Sequence, residues 1–223
     1  MISLTLAVYL GIGTLAMLIP IAVQTKKYKI SLWKSIPTAF FLTITGTIGT
    51  YLMFFIENHW IGGTSFYGAV FFVPVIFPLL AKLLHESRAD LLDICAPAEC
   101  IMLAIMKVQC TLSGCCGGRE ITIPGSLEIV RFPSQIAELI NALILFAILF
   151  WISSKKKRRG SIYPIYMLLY GCTRFVLSIF RESWVTTEMF LPYGNIWSLL
   201  SISLSILWLI QIQRKSMSRG NLR

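Results

Sequence analysis

Histidine is nearly absent from this chain, with two in 223 residues, and acidic side chains number only ten. So small a stock of imidazole and carboxylate argues against a His-based metal centre, and it leaves 20 Lys and Arg and a net charge of +10 largely unneutralised. Also missing is any polar stretch long enough for a soluble domain: 56% of the residues are apolar and mean hydropathy is +0.74. No cation precedes the first apolar block, whereas Lys26, Lys27 and Lys29 follow it, the reverse of a cleavable signal peptide. There is no short-period repeat and no long linker. The six cysteines match no zinc spacing. Cys95, Cys100 and Cys172 read as small apolar packing residues, while Cys110, Cys115 and Cys116 stand near a span end, where a disulfide and a reactive thiol are both open.

What the chain has is seven apolar blocks, at 3–24, 35–56, 66–84, 91–112, 133–153, 161–180 and 192–212. At 1.5 Å per residue each can cross a hydrocarbon core about 30 Å thick. The expected fold class is an all-α integral membrane protein with about seven transmembrane helices, a single polytopic unit over residues 1–223. Cations alternate sharply between connectors. Lys26 to Lys34, Lys82 with Arg88, Lys155 to Arg159 and Arg214 to Arg223 all fall on one side, which predicts an outside N-terminus and a cytoplasmic C-terminus. Topology and attraction to anionic inner-leaflet lipid account for most of the net charge, so no nucleic acid is needed. The longest outer connector, residues 113–132, is the only place for a small folded cap.

Five cations break the pattern. Lys107, Arg119, Arg131, Arg174 and Arg181 fall at or just inside the opposite face, where orientation does not call for them, and an anionic lipid headgroup is the reason they suggest. Arg174, Ser178 and Arg181 are spaced to share one helical face, with Arg174 roughly 10 Å the deeper of the two arginines. A guanidinium at that depth needs a partner, and an ion pair with Glu57, Glu99 or Glu138 is an alternative that can coexist with headgroup binding.

The fifth span opens Phe132, Pro133, Ser134, Gln135, with Glu138 on the same face and with the positive end of its dipole outward. This is either an anion-binding helix end or a capped start whose polar residues only pack. The third opens Gly62, Gly63, Thr64, Ser65, Phe66, Tyr67, Gly68, where glycine permits close approach and Tyr67 is either an interfacial anchor or part of a site. The fourth closes on Lys107, Cys110, Gly114, Cys115, Cys116, Gly117, Gly118 and Arg119, a glycine-rich turn between two cations that would suit phosphate.

Taken in order, these segments resemble the prolipoprotein diacylglyceryl transferase family. Phe132, Pro133, Ser134, Gln135 and Glu138 resemble its His-Pro-Ser-Gln-x-x-Glu, and Tyr170, Gly171, Arg174, Phe175 and Arg181 its Tyr-Gly-x-x-Arg-Phe with a following Arg. Gly62, Gly63, Ser65 and Gly68 look like Gly-Gly-x-Ser-x-His-Gly, and the run from Lys107 to Arg119 aligns with Gly-Arg-x-Gly-Asn. Departures are Tyr67 for the functional His, Lys107 for Arg, Cys110 for Asn, Cys115 and Ser178 for Glu, and a short outer connector.

The resemblance implies a bacterial plasma-membrane enzyme that moves a diacylglyceryl group from phosphatidylglycerol to the thiol of a lipobox cysteine in a preprotein, without metal or cofactor. It implies catalytic roles for Tyr67, Arg174 and Arg181, and substrate-binding roles for Lys107, Arg119, Gly63, Ser65, Gly68, Ser134, Gln135, Glu138 and Tyr170. His59 is a substitute base on sequence grounds. The alternatives are the same scaffold with another acceptor, motivated by Tyr67, and a non-catalytic lipid-binding membrane protein.

Overall fold

Apolar blocks of this length become helices because in lipid each backbone amide must find its partner inside its own segment. The computed structural model describes residues 4–59, 63–122, 129–155, 159–180 and 193–220. Within these lie α1 (Leu4–Tyr28), α2 (Ser35–Asn58) entered through a single 3-10 turn, α3 (Tyr67–Leu83), α4 (Arg88–Leu112), α5 (Ser134–Lys155), α6 (Ile162–Ser178) and α7 (Tyr193–Gly220). Most bounds fall within a few residues of the apolar blocks; α7 runs further, with Arg214 and Lys215 in its last turns. Four helices, α1, α2, α5 and α7, are long and apolar enough to cross a membrane, and α3 is a shorter apolar helix of 17 residues. Arg181 and Gly62 lie outside the described residues.

The burial pattern is inverted relative to a water-soluble bundle. Val8, Ile12, Leu15, Ile19 and Val23 on α1, and Ile36, Phe40, Ile44, Ile48 and Leu52 on α2, form exposed apolar stripes at helical spacing. Meanwhile Asp90, Asp93, Glu99, Lys107 and Glu138 are buried. Hydrocarbon around the bundle and polar groups inside it is the arrangement of a membrane-embedded protein.

At the centre stands α4, buried without a break from Asp90 to Cys100, with α1, α3, α5 and α6 packed on it. Flanking pairs α2 with α3 and α6 with α7 complete the bundle. The start of α6 is capped from α4. The Asp93 carboxylate accepts from the backbone N–H of Gly160 at 2.6 Å, Ile162 at 2.8 Å and Tyr163 at 3.3 Å, and from the Tyr28 hydroxyl at 3.2 Å. Two of the amides that a helix start leaves open, and the one just before its cap, are thus satisfied by a neighbouring helix.

Helix α4 ends in a Schellman turn. Cys115 N–H donates to the Cys110 carbonyl at 3.2 Å and Gly114 N–H to the Thr111 carbonyl at 3.3 Å, with Gly114 left-handed at φ 65°. The same pair of bonds closes α1 around Lys29 and α3 around His85, both left-handed without being glycine.

Residues 113–132 are not purely irregular. Two three-residue strands, β1 (Glu120–Thr122) and β2 (Ile129–Arg131), pair antiparallel with Glu120 opposite Arg131. The side chains of that pair lie 3.5 Å apart and mostly exposed, so the stray cation Arg131 takes part in a surface ion pair of small energetic weight. Gly118 N–H donates to the Phe132 carbonyl, Phe132 N–H to the Arg119 carbonyl, and Arg119 N–H to the Phe180 carbonyl, which stitches the connector to the ends of α5 and α6.

Close approach of α2 and α3 requires glycine on both sides. A Cβ at Gly68 would lie 1.9 Å from the Gly49 carbonyl oxygen, and one at Gly49 would lie 2.6 Å from that of Gly68. Backbone on both sides leaves nothing to swing aside. Gly68→Ala is expected to lower the unfolding free energy in detergent by about 3 kcal/mol, the upper part of the usual overpacking range. Gly46→Ala, whose Cβ would make ordinary contact with Ala69 at 3.6 Å, is expected to leave the melting temperature unchanged.

Candidate active site

Three of the residues singled out in the sequence meet on one carboxylate. Glu138 enters from the second turn of α5, Lys107 from the last turns of α4 and Arg174 from the last turns of α6. Lys107 Nζ lies 2.5 Å from Glu138 Oε2, and Arg174 Nη1 donates to Glu138 Oε1 at 2.9 Å. Their side chains are 11%, 7% and 13% exposed for Lys107, Glu138 and Arg174 respectively. One oxygen of Glu138 thus faces Lys107 and the other Arg174, and these three side chains together carry a charge of +1 in a low-dielectric interior. Of the three carboxylates open to Arg174 on sequence grounds, the structure selects Glu138. Asn141, three residues on, donates to Thr173 Oγ1 at 3.1 Å and fixes α5 to α6 in the same register.

The carboxyl end of α4 folds over this trio. Ser134 Oγ donates to the Cys116 carbonyl at 2.6 Å and Gln135 Nε2 to the Cys115 carbonyl at 2.5 Å. These side chains, read from the sequence as substrate contacts, here hold the turn against the start of α5. Cys116 is left-handed at φ 61°, a conformation uncommon for a residue with a side chain, and Arg174 lies within electrostatic reach of it. Partial burial and the neighbouring Cys116 hold the Cys115 thiol above its ordinary range. No disulfide joins any of the six cysteines; Cys95 and Cys100 are buried and Cys172 is exposed.

Tyr67 opens α3 and is 2% exposed, stacked on Phe71 and edge-on to Tyr170 at a centroid distance of 5.3 Å. Its hydroxyl lies 2.6 Å from Ser198 Oγ, and Ser198 donates its one hydrogen to the Gly194 carbonyl at 2.7 Å. Tyr67 is consequently the donor to Ser198, a neutral phenol with a committed proton. Tyr67 and Tyr170 both lie within electrostatic reach of Arg174. Ser65 donates to Glu57 Oε1 at 2.6 Å while its own N–H donates to the Thr50 carbonyl at 3.0 Å, and Gly63 is pressed against the Phe54 ring. Ser178 donates to Asn195 Oδ1 on α7.

Arg119 sits on the exposed connector and does not join the trio. His59 is an exposed left-handed residue ending α2, removed from the buried cluster. Ser198 was not singled out in the sequence, although Ser198, Ser201 and Ser205 recur at helical spacing and all three are fully buried. That stripe was the signal for the inward face of α7.

Comparison with known proteins decides the family. A family model described as prolipoprotein diacylglyceryl transferase matches residues 3–211. The chain belongs to that family. Among similar proteins is a phosphatidylglycerol-prolipoprotein diacylglyceryl transferase of Teredinibacter turnerae, 33% identical over 130 residues, 55% of this chain and 46% of that protein. Proteins of the same description from Acinetobacter baumannii and Coxiella burnetii are 31% and 29% identical over 162 and 158 residues, in each case 63% of this chain and 60% of the relative. The chain thus spans about half of the first relative's length and three fifths of the others'.

Breaking the trio tests its energetics. Glu138→Gln leaves two cations in a buried site without an anion and is expected to destabilise the protein by roughly 3–5 kcal/mol. Adding Lys107→Met to it is expected to restore part of that loss, read as a double-mutant cycle of unfolding in detergent.

Proposed function

We propose that this chain is a membrane-embedded transferase that moves a diacylglyceryl group from phosphatidylglycerol to the thiol of a lipobox cysteine in a preprotein. It works as one seven-span unit of the bacterial plasma membrane, N-terminus outside and C-terminus cytoplasmic, with the site opening toward the outer face. The observation that carries it is the placement of Lys107 and Arg174 on the two oxygens of one buried carboxylate, a positive site at membrane depth. Family membership over residues 3–211 supports the same chemistry.

In the proposed reaction the acceptor sulfur forms a bond to the glyceryl carbon as that carbon's bond to phosphate oxygen breaks, releasing glycerol phosphate. Negative charge gathers on the departing phosphate, and cations fixed beforehand in a dry site stabilise that charge without having to reorganise. Arg174 supplies a planar fork and Lys107 a point charge; Arg181 and Arg119 are further phosphate contacts in this proposal. The thiol titrates near 8.5, and the same cations favour its thiolate; its proton passes, directly or through water, to the departing phosphate oxygen, so the products are the thioether and the protonated glycerol phosphate. Tyr67, whose proton is given to Ser198, has only its oxygen lone pairs left to offer a substrate donor such as the thiol S–H. Gly63, Ser65, Gly68 and Tyr170 shape the lipid side of the site, and Ser134 and Gln135 hold the turn above it.

A second reading is favoured by that same Tyr67 geometry. A neutral phenol whose proton is already committed is a weaker base than the family's His, which suits an acceptor that arrives already deprotonated or is other than a lipobox thiol. Mass spectrometry of the products separates the two.

Purified protein mixed with phosphatidylglycerol and a synthetic lipobox peptide is expected to yield the peptide heavier by one diacylglyceryl group. Arg174→Ala is expected to reduce that product by at least about 100-fold, the usual loss for one preorganised charge-stabilising donor. Lipid binding without any product would move the assignment to a non-catalytic lipid-binding protein. Tyr67→Phe removes only the hydroxyl and is expected to lower the rate by roughly 100-fold, as for loss of a proton-handling group, and to lower the unfolding free energy by about 1 kcal/mol through the lost bond to Ser198.

A further inference from the structure

Cys110, Cys115 and Cys116 are close in sequence, yet a helix-to-loop junction of this kind does not by itself make their sulfurs converge. Here it does: the three Sγ atoms lie within 4.8 Å of one another. The cause is the turn that ends α4. A Schellman turn brings the third residue from the helix end against the second residue past the C-cap, here Ser113, and those residues are Cys110 and Cys115. The left-handed Cys116 then folds the third thiol back onto the first two.

We propose that these three cysteines form a trithiolate site for a soft, thiophilic metal ion of the zinc(II) or copper(I) class. Three sulfurs bound at about 2.3 Å to one tetrahedral ion lie roughly 3.8 Å apart, so the sulfurs need to close by about 1 Å or less, within reach of small side-chain rotations. All three donors of the group are sulfur, which selects soft ions over magnesium or calcium. Convergence of three sulfurs rather than two is what an ion requires and what a disulfide leaves unused.

Two cations stand near the sulfurs and offset part of the charge that binding leaves. Binding replaces three thiol protons by one cation and leaves a net negative centre. Lys107 lies within electrostatic reach of Cys110 and Cys115, and Arg174 within reach of Cys116. Because the Cys115 and Cys116 carbonyls are held by Gln135 and Ser134, a bound ion ties the end of α4 to the start of α5, four residues ahead of Glu138. The proposal does not depend on the transferase reading, and its readouts involve no turnover.

The test uses the full-length protein, reduced with a phosphine in detergent and dialysed against zinc, with metal counted per chain by mass spectrometry. One zinc per chain is expected, and cobalt substituted for zinc is expected to show a sulfur-to-metal charge-transfer band. Cys110→Ser and Cys116→Ser are each expected to weaken zinc binding by at least about tenfold, a loss no smaller than that for an outer-shell partner, while Cys172→Ser binds as the parent does. Should a serine variant fail to fold, zinc protection of Cys110, Cys115 and Cys116 from maleimide in the unmutated protein gives the same answer. Absence of uptake by the reduced, folded protein would overturn the proposal, as would uptake unaltered when all three cysteines are replaced. A disulfide within residues 110–116, with no metal bound after reduction, overturns it in favour of a redox pair.

Discussion

One carboxylate between two cations governs the arrangement of three consecutive helices, α4, α5 and α6. Glu138 cannot be buried alone, nor can Lys107 or Arg174; together they satisfy each other from three different helices. That requirement fixes the rotation of α4, α5 and α6 about their axes, since a turn of any one by a single residue would withdraw its charge. Contacts on either side of the trio keep the same registry: Asn141 meets Thr173 one turn below, and Ser134 and Gln135 meet the end of α4 one turn above. The site is thereby built on rigid helices and not on the connector.

The outline of the fold was legible in the chain because hydropathy and charge in a membrane protein report two plain costs, exposing amides to lipid and moving cations across it. Apolar blocks therefore located the helices to within a few residues, and Arg174 was marked as a residue in need of a partner. Which partner was not legible. Glu57, Glu99 and Glu138 were equal as sequence, and only the packing of α5 against α4 and α6 chose among them. The left-handed closures at Lys29 and His85 were also hidden, since the chemical marker for such a closure is glycine and neither residue is one. The role of Ser198 was hidden for a different reason: a hydroxyl in a helix ordinarily returns to its own backbone, and its additional bond to Tyr67 joins residues 131 apart in sequence.

Departures from the family pattern cluster in one region of space. Lys107, Cys110, Cys115 and Tyr67 each replace a residue of different size or donor capacity; Lys107 lies within electrostatic reach of Cys110 and Cys115, and Tyr67 within reach of Glu138, the partner of Lys107. Lys107 contributes a single point charge to Glu138 where the family's arginine offers a fork. The proton on Tyr67 runs to Ser198 and on to the Gly194 carbonyl, a polar chain that anchors α7 to α3. Substitutions that look independent along the chain are thus neighbours in the folded protein.

The cap on α6 carries an implication for how the molecule is assembled. Amides of Gly160, Ile162 and Tyr163 depend on a carboxylate that belongs to α4, not on anything in their own segment. Synthesis runs from the N-terminus, so Asp93 is already in the bilayer when those amides emerge from the ribosome. The acceptor waits for its donors, and the newer helix is received at a prepared berth rather than exposed to lipid with its first turn unpaired.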